Sequence, residues 1–240
     1  MCKKRFHLSV GILAMFLLVV SLLLTSFQAA IYGDPKYRFY EKEYVKYKVT
    51  DSLGMELSDV MAVTDHMMDY LIGQEPELSV ETNVDGRQQD FFNAQDRLHM
   101  ADVKNLFLCG LKLRTGFFLA SLLLLAFLFV RKADMGKVLP AAYGIAMAVF
   151  AAVLIFLGIA FTVDFTRCFT IFHEMFFTND LWMFDESTDY MIRMLPEGFF
   201  SDMVIRIALF FVGGLVLLGG AVWLVRGFYR RRAGVFKKRR

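Results

Sequence analysis

The chain holds four histidines, His7, His66, His99 and His173, and an imidazole is the side chain best suited to proton transfer near neutral pH. Two of them have neighbours that favour such work. His99 is followed at i+3 by Asp102, where a carboxylate on the same helical face can orient the ring. His173 stands beside Glu174 in a strongly aromatic stretch, where loss of water keeps an imidazole neutral and able to accept a proton. A lone histidine in a helix is more often structural. His66, next to Asp65 in an ordinary amphipathic pattern, is read that way.

Other chemistries drop out. His173-Glu174-Met175-Phe176-Phe177 starts like the zinc-protease motif H-E-x-x-H, but Phe177 stands where the second histidine belongs, so no metal site is expected. There is no G-x-S-x-G elbow for a serine hydrolase and no P-loop for an ATP-driven reaction. The three cysteines, Cys2, Cys109 and Cys168, form no metal or redox motif. Cys109 and Cys168 are compatible equally with a disulfide and with two free thiols. What survives is energy-neutral chemistry by imidazole and acid groups, with no cofactor.

The elements that must position these groups are set by clumped apolar residues. Of 240 residues 57% are hydrophobic, 15% aromatic and only 21% charged. Leu8–Ala30 and Leu139–Val163 carry no charge, Met203–Val225 carries only Arg206, and Thr115–Val130 is a shorter fourth run. A bilayer core of about 30 Å needs roughly 20 apolar residues as helix, and in lipid only a helix satisfies its own backbone at this spacing. The expected fold is an all-α membrane protein of four transmembrane helices, at residues 8–30, 106–130, 138–163 and 203–225. The first run is too long for a cleaved leader, and a cut after Ala29 would leave bulky Phe27 where a small residue belongs. Cys2 precedes that run, so it is no lipoprotein-type lipidation site.

Charge sets the orientation. The short segments 1–7, 131–137 and 226–240 together hold fourteen basic residues and a single acid, Asp134, while 31–105 and 164–202 are acidic overall. Short basic loops stay in the cytoplasm, which places both termini there and both longer segments outside. The basic tail is read as a topology anchor beside anionic lipid rather than a nucleic-acid patch. The net charge of +3 says little beside this distribution.

Residues 31–105 are expected to form a small mixed α/β extracytoplasmic cap. Tyr32–Tyr47 alternates aromatic and charged residues and predicts an extended stretch. Ser58 is expected to cap a helix that ends at Gly73, a hairpin turns at Asp85-Gly86, and Asn93 starts the helix bearing His99. A straight helix entering the membrane at Thr115 would hold His99 about 24 Å above it at 1.5 Å per residue. A bend near Gly110 removes the difficulty. So does a span starting near Leu106, with Lys112 and Arg114 facing protein or snorkelling. In 164–202 the residues Phe165, Phe169, Phe172 and Phe176 fall at helical spacing and Trp182 follows, which predicts a broken helix at the outer leaflet. An aromatic belt and a substrate groove both fit that composition.

Two strings resemble a known family. Leu98-His99-Met100-Ala101-Asp102-Val103-Lys104 is one, and the longer and more specific one runs from Phe172-His173-Glu174 through Asn179-Asp180-Leu181-Trp182 to Asp189. With Leu195-Pro196-Glu197-Gly198-Phe199-Phe200 they look like the bacterial lipoprotein intramolecular transacylases, and the resemblance covers essentially the whole chain. It implies a diacylglyceryl lipoprotein as substrate, with membrane lipid as surroundings. The sn-2 acyl chain would move to the α-amine of the lipoprotein's N-terminal cysteine, giving the lyso form. Under that resemblance His99 and His173 together form the base/acid pair, Asp102 orients His99, and Lys104, Arg167, Glu174, Asn179 and Trp182 are candidates for holding substrate and oxyanion. Two rivals follow: Cys168 as an acyl-carrying nucleophile activated by His173, and a non-catalytic lipoprotein binder in which the two imidazoles need not meet.

Overall fold

The computed structural model describes residues 2–238, with side chains described for 3–231. Cys2 and the tail cations Arg232, Lys237, Lys238, Arg239 and Arg240 therefore lie outside the described side chains. The elements are α1 (Cys2–Tyr32), α2 (Arg38–Lys46), α3 (Val49–Leu53), α4 (Leu57–Ile72), β1 (Glu81–Val84), β2 (Arg87–Asp90), α5 (Ala94–Val130), α6 (Met135–Val163), α7 (Phe165–Phe176), α8 (Tyr190–Met194) and α9 (Glu197–Lys238). Among the described residues four helices, α1, α5, α6 and α9, are long and apolar enough to cross a membrane.

The chain divides into two compact units. The helical unit comprises Met1–Gln28, Lys112–Thr162 and Ile207–Arg240. Its core is made by Met15, Val19, Leu128, Val138, Leu139, Ala142, Ala146, Phe211 and Leu215. Other apolar side chains point outward, among them Leu123 at 72% and Leu217 at 77% exposed, which water would not tolerate and lipid requires. Helices here approach closely. A Cβ on Gly11 would sit 2.5 Å from Val138 Cγ1. Hydroxyls tie helix to backbone, Ser121 Oγ donating to Ala14 O over 2.8 Å and Ser21 Oγ to Arg114 O over 2.9 Å. The Arg114 guanidinium donates to the Gln28 amide oxygen, so it faces protein. Lys112 is exposed.

The mixed unit comprises Ala29–Leu111 and Val163–Arg206. Here the stretch expected to be extended is helical. Tyr40 and Tyr44, one turn apart on α2, pack on Phe199 at 5.2 and 6.1 Å, and Tyr44 OH shares a 2.7 Å hydrogen bond with Thr64 Oγ1. The spacing that decides is four, and the Tyr37/Phe39 alternation is incidental. Helix α4 starts two residues earlier than expected, with Glu56 rather than Ser58 at its N-cap, and stops at Gly73, whose φ of 82° suits glycine. The hairpin turns at Asp85 and Gly86, both at positive φ as a two-residue turn demands.

Asn93 and Asp96 form a reciprocal capping box at the start of α5. Asp96 N donates to Asn93 Oδ1 and Asn93 N to Asp96 Oδ2, each over 2.9 Å. Helix α5 then runs 37 residues without interruption at Gly110. That length, about 55 Å, exceeds any bilayer core. Asp96, Arg97, Asp102 and Lys104 crowd its first turns, so these precede the segment that lipid can hold. One residue, Asp164, separates α6 from α7, and its Oδ1 caps α7 by accepting from Arg167 N over 2.9 Å. Cys109 and Cys168 are free thiols.

Candidate active site

His99 from α5 and His173 from α7 meet. Their ring centroids are 6.1 Å apart and the planes 29° from parallel. They stand 74 residues apart in the chain (173 − 99), yet only 5% and 8% of each residue is exposed. Aromatic rings enclose the pair. Phe177 lies 5.1 Å from His99 and 5.6 Å from His173, Phe184 lies 5.3 Å from His99, and Phe169 and Trp182 lie 4.1 and 5.0 Å from His173.

Helix geometry produces this niche. Phe169, His173 and Phe177 follow at i, i+4 and i+8 along one edge of α7 and just past its end, and that edge is turned inward. Ile171, Phe172, Met175 and Phe176 form an exposed apolar face beside it. The backbone also fixes the tautomer of His173. Its Nδ1 lies 2.7 Å from the Phe169 carbonyl, and a carbonyl only accepts, so Nδ1 carries the hydrogen and Nε2 the lone pair.

Burial makes both rings poor cations. It pushes the His99 imidazole down to about 4, with the neighbouring His173 adding to the effect and Asp102 opposing it. Burial lowers His173 as well, against the pull of its bond to Phe169 O. His99 Nδ1 is buried and has no hydrogen-bond partner. A neutral, desolvated imidazole pair of this kind can take a proton at one ring and pass that same proton on, returning to neutral.

The remaining sequence candidates divide. Trp182 stacks near His173. Asp102 makes no hydrogen bond to His99 and acts on it through charge alone; its Oδ2 accepts from Asn179 Nδ2 over 2.9 Å, so those two candidates hold each other. Lys104 is turned elsewhere, donating to Glu75 O over 3.2 Å with its ammonium 3.9 Å from the Tyr70 ring centroid. Arg167 and Glu174 are exposed. Cys168 and His173 are five residues apart on α7, about 140° around the helix axis, which turns the thiol away from the imidazole. His66 Nε2 lies 2.9 Å from Glu77 O, away from the pair.

Sequence reasoning missed Gln95. Its amide donates to the Leu181 and Met183 carbonyls over 3.1 and 2.9 Å, fastening the segment that carries Trp182 and Phe184. Nothing in the string Asn93-Ala94-Gln95 signals a bond to carbonyls almost ninety residues on.

Four candidate spans and a buried pair of neutral imidazoles describe a multi-pass membrane protein with acid–base groups set among aromatic rings. The chain belongs to the Lit family, described as lipoprotein intramolecular transacylase Lit, which matches residues 12–200. The structure is similar to that of the membrane-integral lipoprotein intramolecular transacylase Lit from Bacillus cereus, with a TM-score of 0.75 at 22% identity over 95% of this chain and 99% of that one. Two single-histidine variants of the Bacillus cereus protein are similar too. The arginine variant gives 0.77 at 22% identity over 96% of each chain, and the alanine variant 0.76 at 21% over 95% of this chain and 97% of that one. At such identities the likeness concerns the fold. Among curated proteins no match is found.

Proposed function

We propose that this chain moves the sn-2 acyl chain of a diacylglyceryl lipoprotein onto the α-amine of the lipoprotein's N-terminal cysteine, using His99 and His173 as its acid–base pair. The observation that carries this reading is the 6.1 Å approach of two buried imidazoles in a member of the Lit family. The reaction exchanges an ester for an amide and is downhill, so it needs no nucleotide. The amine must lose a proton as it attacks the ester carbonyl, and the departing glyceryl alkoxide must gain one. His173, with its lone pair fixed at Nε2, suits the first task; the proton it takes is then passed on to the alkoxide, with neutral His99 beside it as the relay, so both rings end as neutral as they began.

Amine and ester belong to one molecule, so much of the acceleration comes from holding them in line; effective molarities on the order of 10⁵ M or more are attainable this way. No acyl-enzyme is required. Trp182 and Asn179 remain candidates for the substrate's polar groups, whereas Lys104, Arg167 and Glu174 would have to reorient to take part. We place the site on the extracytoplasmic side, at the depth of the lipid esters. Three things support that placement: the basic short segments, the single residue joining α6 to α7, and the exposed apolar face of α7.

Cells making a lipoprotein with two distinguishable acyl chains provide the test. Mass spectrometry of its N-terminus should find the sn-2 chain on nitrogen with the natural protein, and a drop of about 10²–10⁴ in that product with His99→Ala or His173→Ala at equal membrane levels. Undiminished product from either variant would remove that residue from the mechanism.

A further inference from the structure

A bulky, lipid-anchored ester cannot reach imidazoles that are 5% and 8% exposed unless something moves. Each ring is covered by one side chain from the same short segment: Trp182 lies over His173 and Phe184 over His99. That segment, residues 178–184, follows the end of α7 and has no helix or strand of its own. Thr178, Asn179, Asp180 and Met183 are exposed, so it covers the pair without being part of a packed core.

Its two ends are held differently from its middle. Phe177 is buried at one end. At the other, Asp185 N donates to Asp189 Oδ2 over 2.7 Å, and Asp189, only 4% exposed, is bound by the Asn93 amide at the cap of α5. Between these fixed points the segment is fastened to α5 by side-chain hydrogen bonds at partly exposed positions. Gln95 donates to the Leu181 and Met183 carbonyls, and Asn179 donates to Asp102. Bonds of that kind exchange with water at little net cost, whereas the buried ends do not.

We infer that residues 178–184 are a lid over the imidazole pair, hinged at Phe177 and Asp185 and latched to α5 by Gln95 and Asp102. Opening releases three hydrogen bonds and lifts Trp182 and Phe184 together, which uncovers both rings at once. The acyl-transfer reading enters only in what passes beneath the lid; the motion itself stands on the geometry.

The test pairs Gln95→Cys with Met183→Cys in the full-length protein, with Cys2, Cys109 and Cys168 replaced by serine, and joins them with a short reducible bis-thiosulfonate. Diethyl pyrocarbonate, which acylates accessible neutral imidazoles, is then applied in membranes, and modification at His99, His173 and His66 is read by peptide mass spectrometry. Tethering should slow modification of His99 and His173 at least tenfold, leave His66 unchanged, and be reversed by reduction. Lyso-lipoprotein formation should fall and recover in step. A Gln95→Ala variant, with one latch removed, should be modified faster than the natural protein. Equal modification of tethered and untethered protein, with the cross-link verified by mass, would overturn the lid. Gated modification with no lyso product from any form would leave the lid standing and overturn the acyl-transfer reading instead.

Discussion

The two units of this chain bury polar groups in opposite ways. In the helical unit the buried polar residues are His7 and three serines, Ser21, Ser26 and Ser121, whose hydroxyls each find a backbone carbonyl. In the mixed unit they are Glu43, Thr64, Asp96, His99, His173 and Asp189, mostly titratable. Two of these leave an atom without a partner, Asp96 Oδ1 and His99 Nδ1, and a third, Glu43 Oε2, has only the Lys46 ammonium 3.4 Å away. A buried polar atom left unpaired costs roughly 1–3 kcal/mol, so such groups persist where something other than stability selects them. The helical unit is built to hold together, and the mixed unit carries groups whose worth lies in titrating. Substitutions in each should therefore fail differently.

The sharpest separation is expected at the imidazoles. His99→Ala or His173→Ala should lower lyso-lipoprotein formation by about 10²–10⁴ while the protein stays folded in the membrane, as judged by unchanged thermal unfolding. An unfolding temperature that falls along with activity would mean that the mixed unit needs these rings for packing, and the contrast between the units would weaken.

Next comes pH. His99 has its pKa held at about 4 by burial, below the ordinary 6.5, so between these values the unfolded chain binds more protons than the folded one. Stability should accordingly rise with pH through that window and be lost as pH falls from 6.5 towards 4, by on the order of 3 kcal/mol from this residue alone. Thermal unfolding at pH 4.5, 5.5 and 6.5 should show this slope in the natural protein and a shallower one in His99→Gln. Identical slopes would mean that the ring is hydrated. The helical unit's buried serines should contribute no such dependence.

How far this arrangement was readable beforehand depends on range. Apolar runs near Leu8, Thr115, Leu139 and Met203 announce long helices because lipid demands continuous apolar length, and four such helices are found. Gly73 and Asp85-Gly86 were legible because positive φ narrows the residue choice. Residues 38–46 were misread because charged residues separate the aromatics; what makes them helical is Phe199, some 150 residues on, receiving Tyr40 and Tyr44. The site shows the same limit. Asp102 at i+3 looked like the natural partner of His99, but its side chain is taken by Asn179 from another element. The pairing of His99 with His173 came from family resemblance, since no periodicity links positions so far apart.

A smaller effect contrasts the packing of the units. In the helical unit, Gly11→Ala drives a methyl to within 2.5 Å of Val138 Cγ1, a β-branched side chain with little room to turn. Overpacking costs about 1–3 kcal/mol, and the gain of about 1 kcal/mol in helix propensity offsets part of it. The expected outcome is an unfolding temperature lowered by a few degrees with activity per folded molecule unchanged. In the mixed unit, Gly198→Ala would place its methyl 2.3 Å from the Tyr47 ring, at the start of α9. Phe200, two residues on, touches Phe169, which touches His173, so here activity per folded molecule should fall as well.

The smallest expected change discriminates most finely. If Asp102 served His99 by orienting its ring, removing its charge would matter; the geometry has it holding Asn179 instead. Asp102→Asn keeps an acceptor oxygen where Asn179 Nδ2 needs one, so activity should drop by less than about threefold, equivalent to well under 1 kcal/mol. Asp102→Ala loses the acceptor and should cost more, because one latch of the segment over the imidazoles goes with it. Removing the charge also removes the one influence that draws a proton onto His99, so the ring should become still harder to protonate in both variants. An Asp102→Asn protein as inactive as His99→Ala would return Asp102 to the acid–base machinery and make the carboxylate, rather than burial alone, the feature that sets the mixed unit apart.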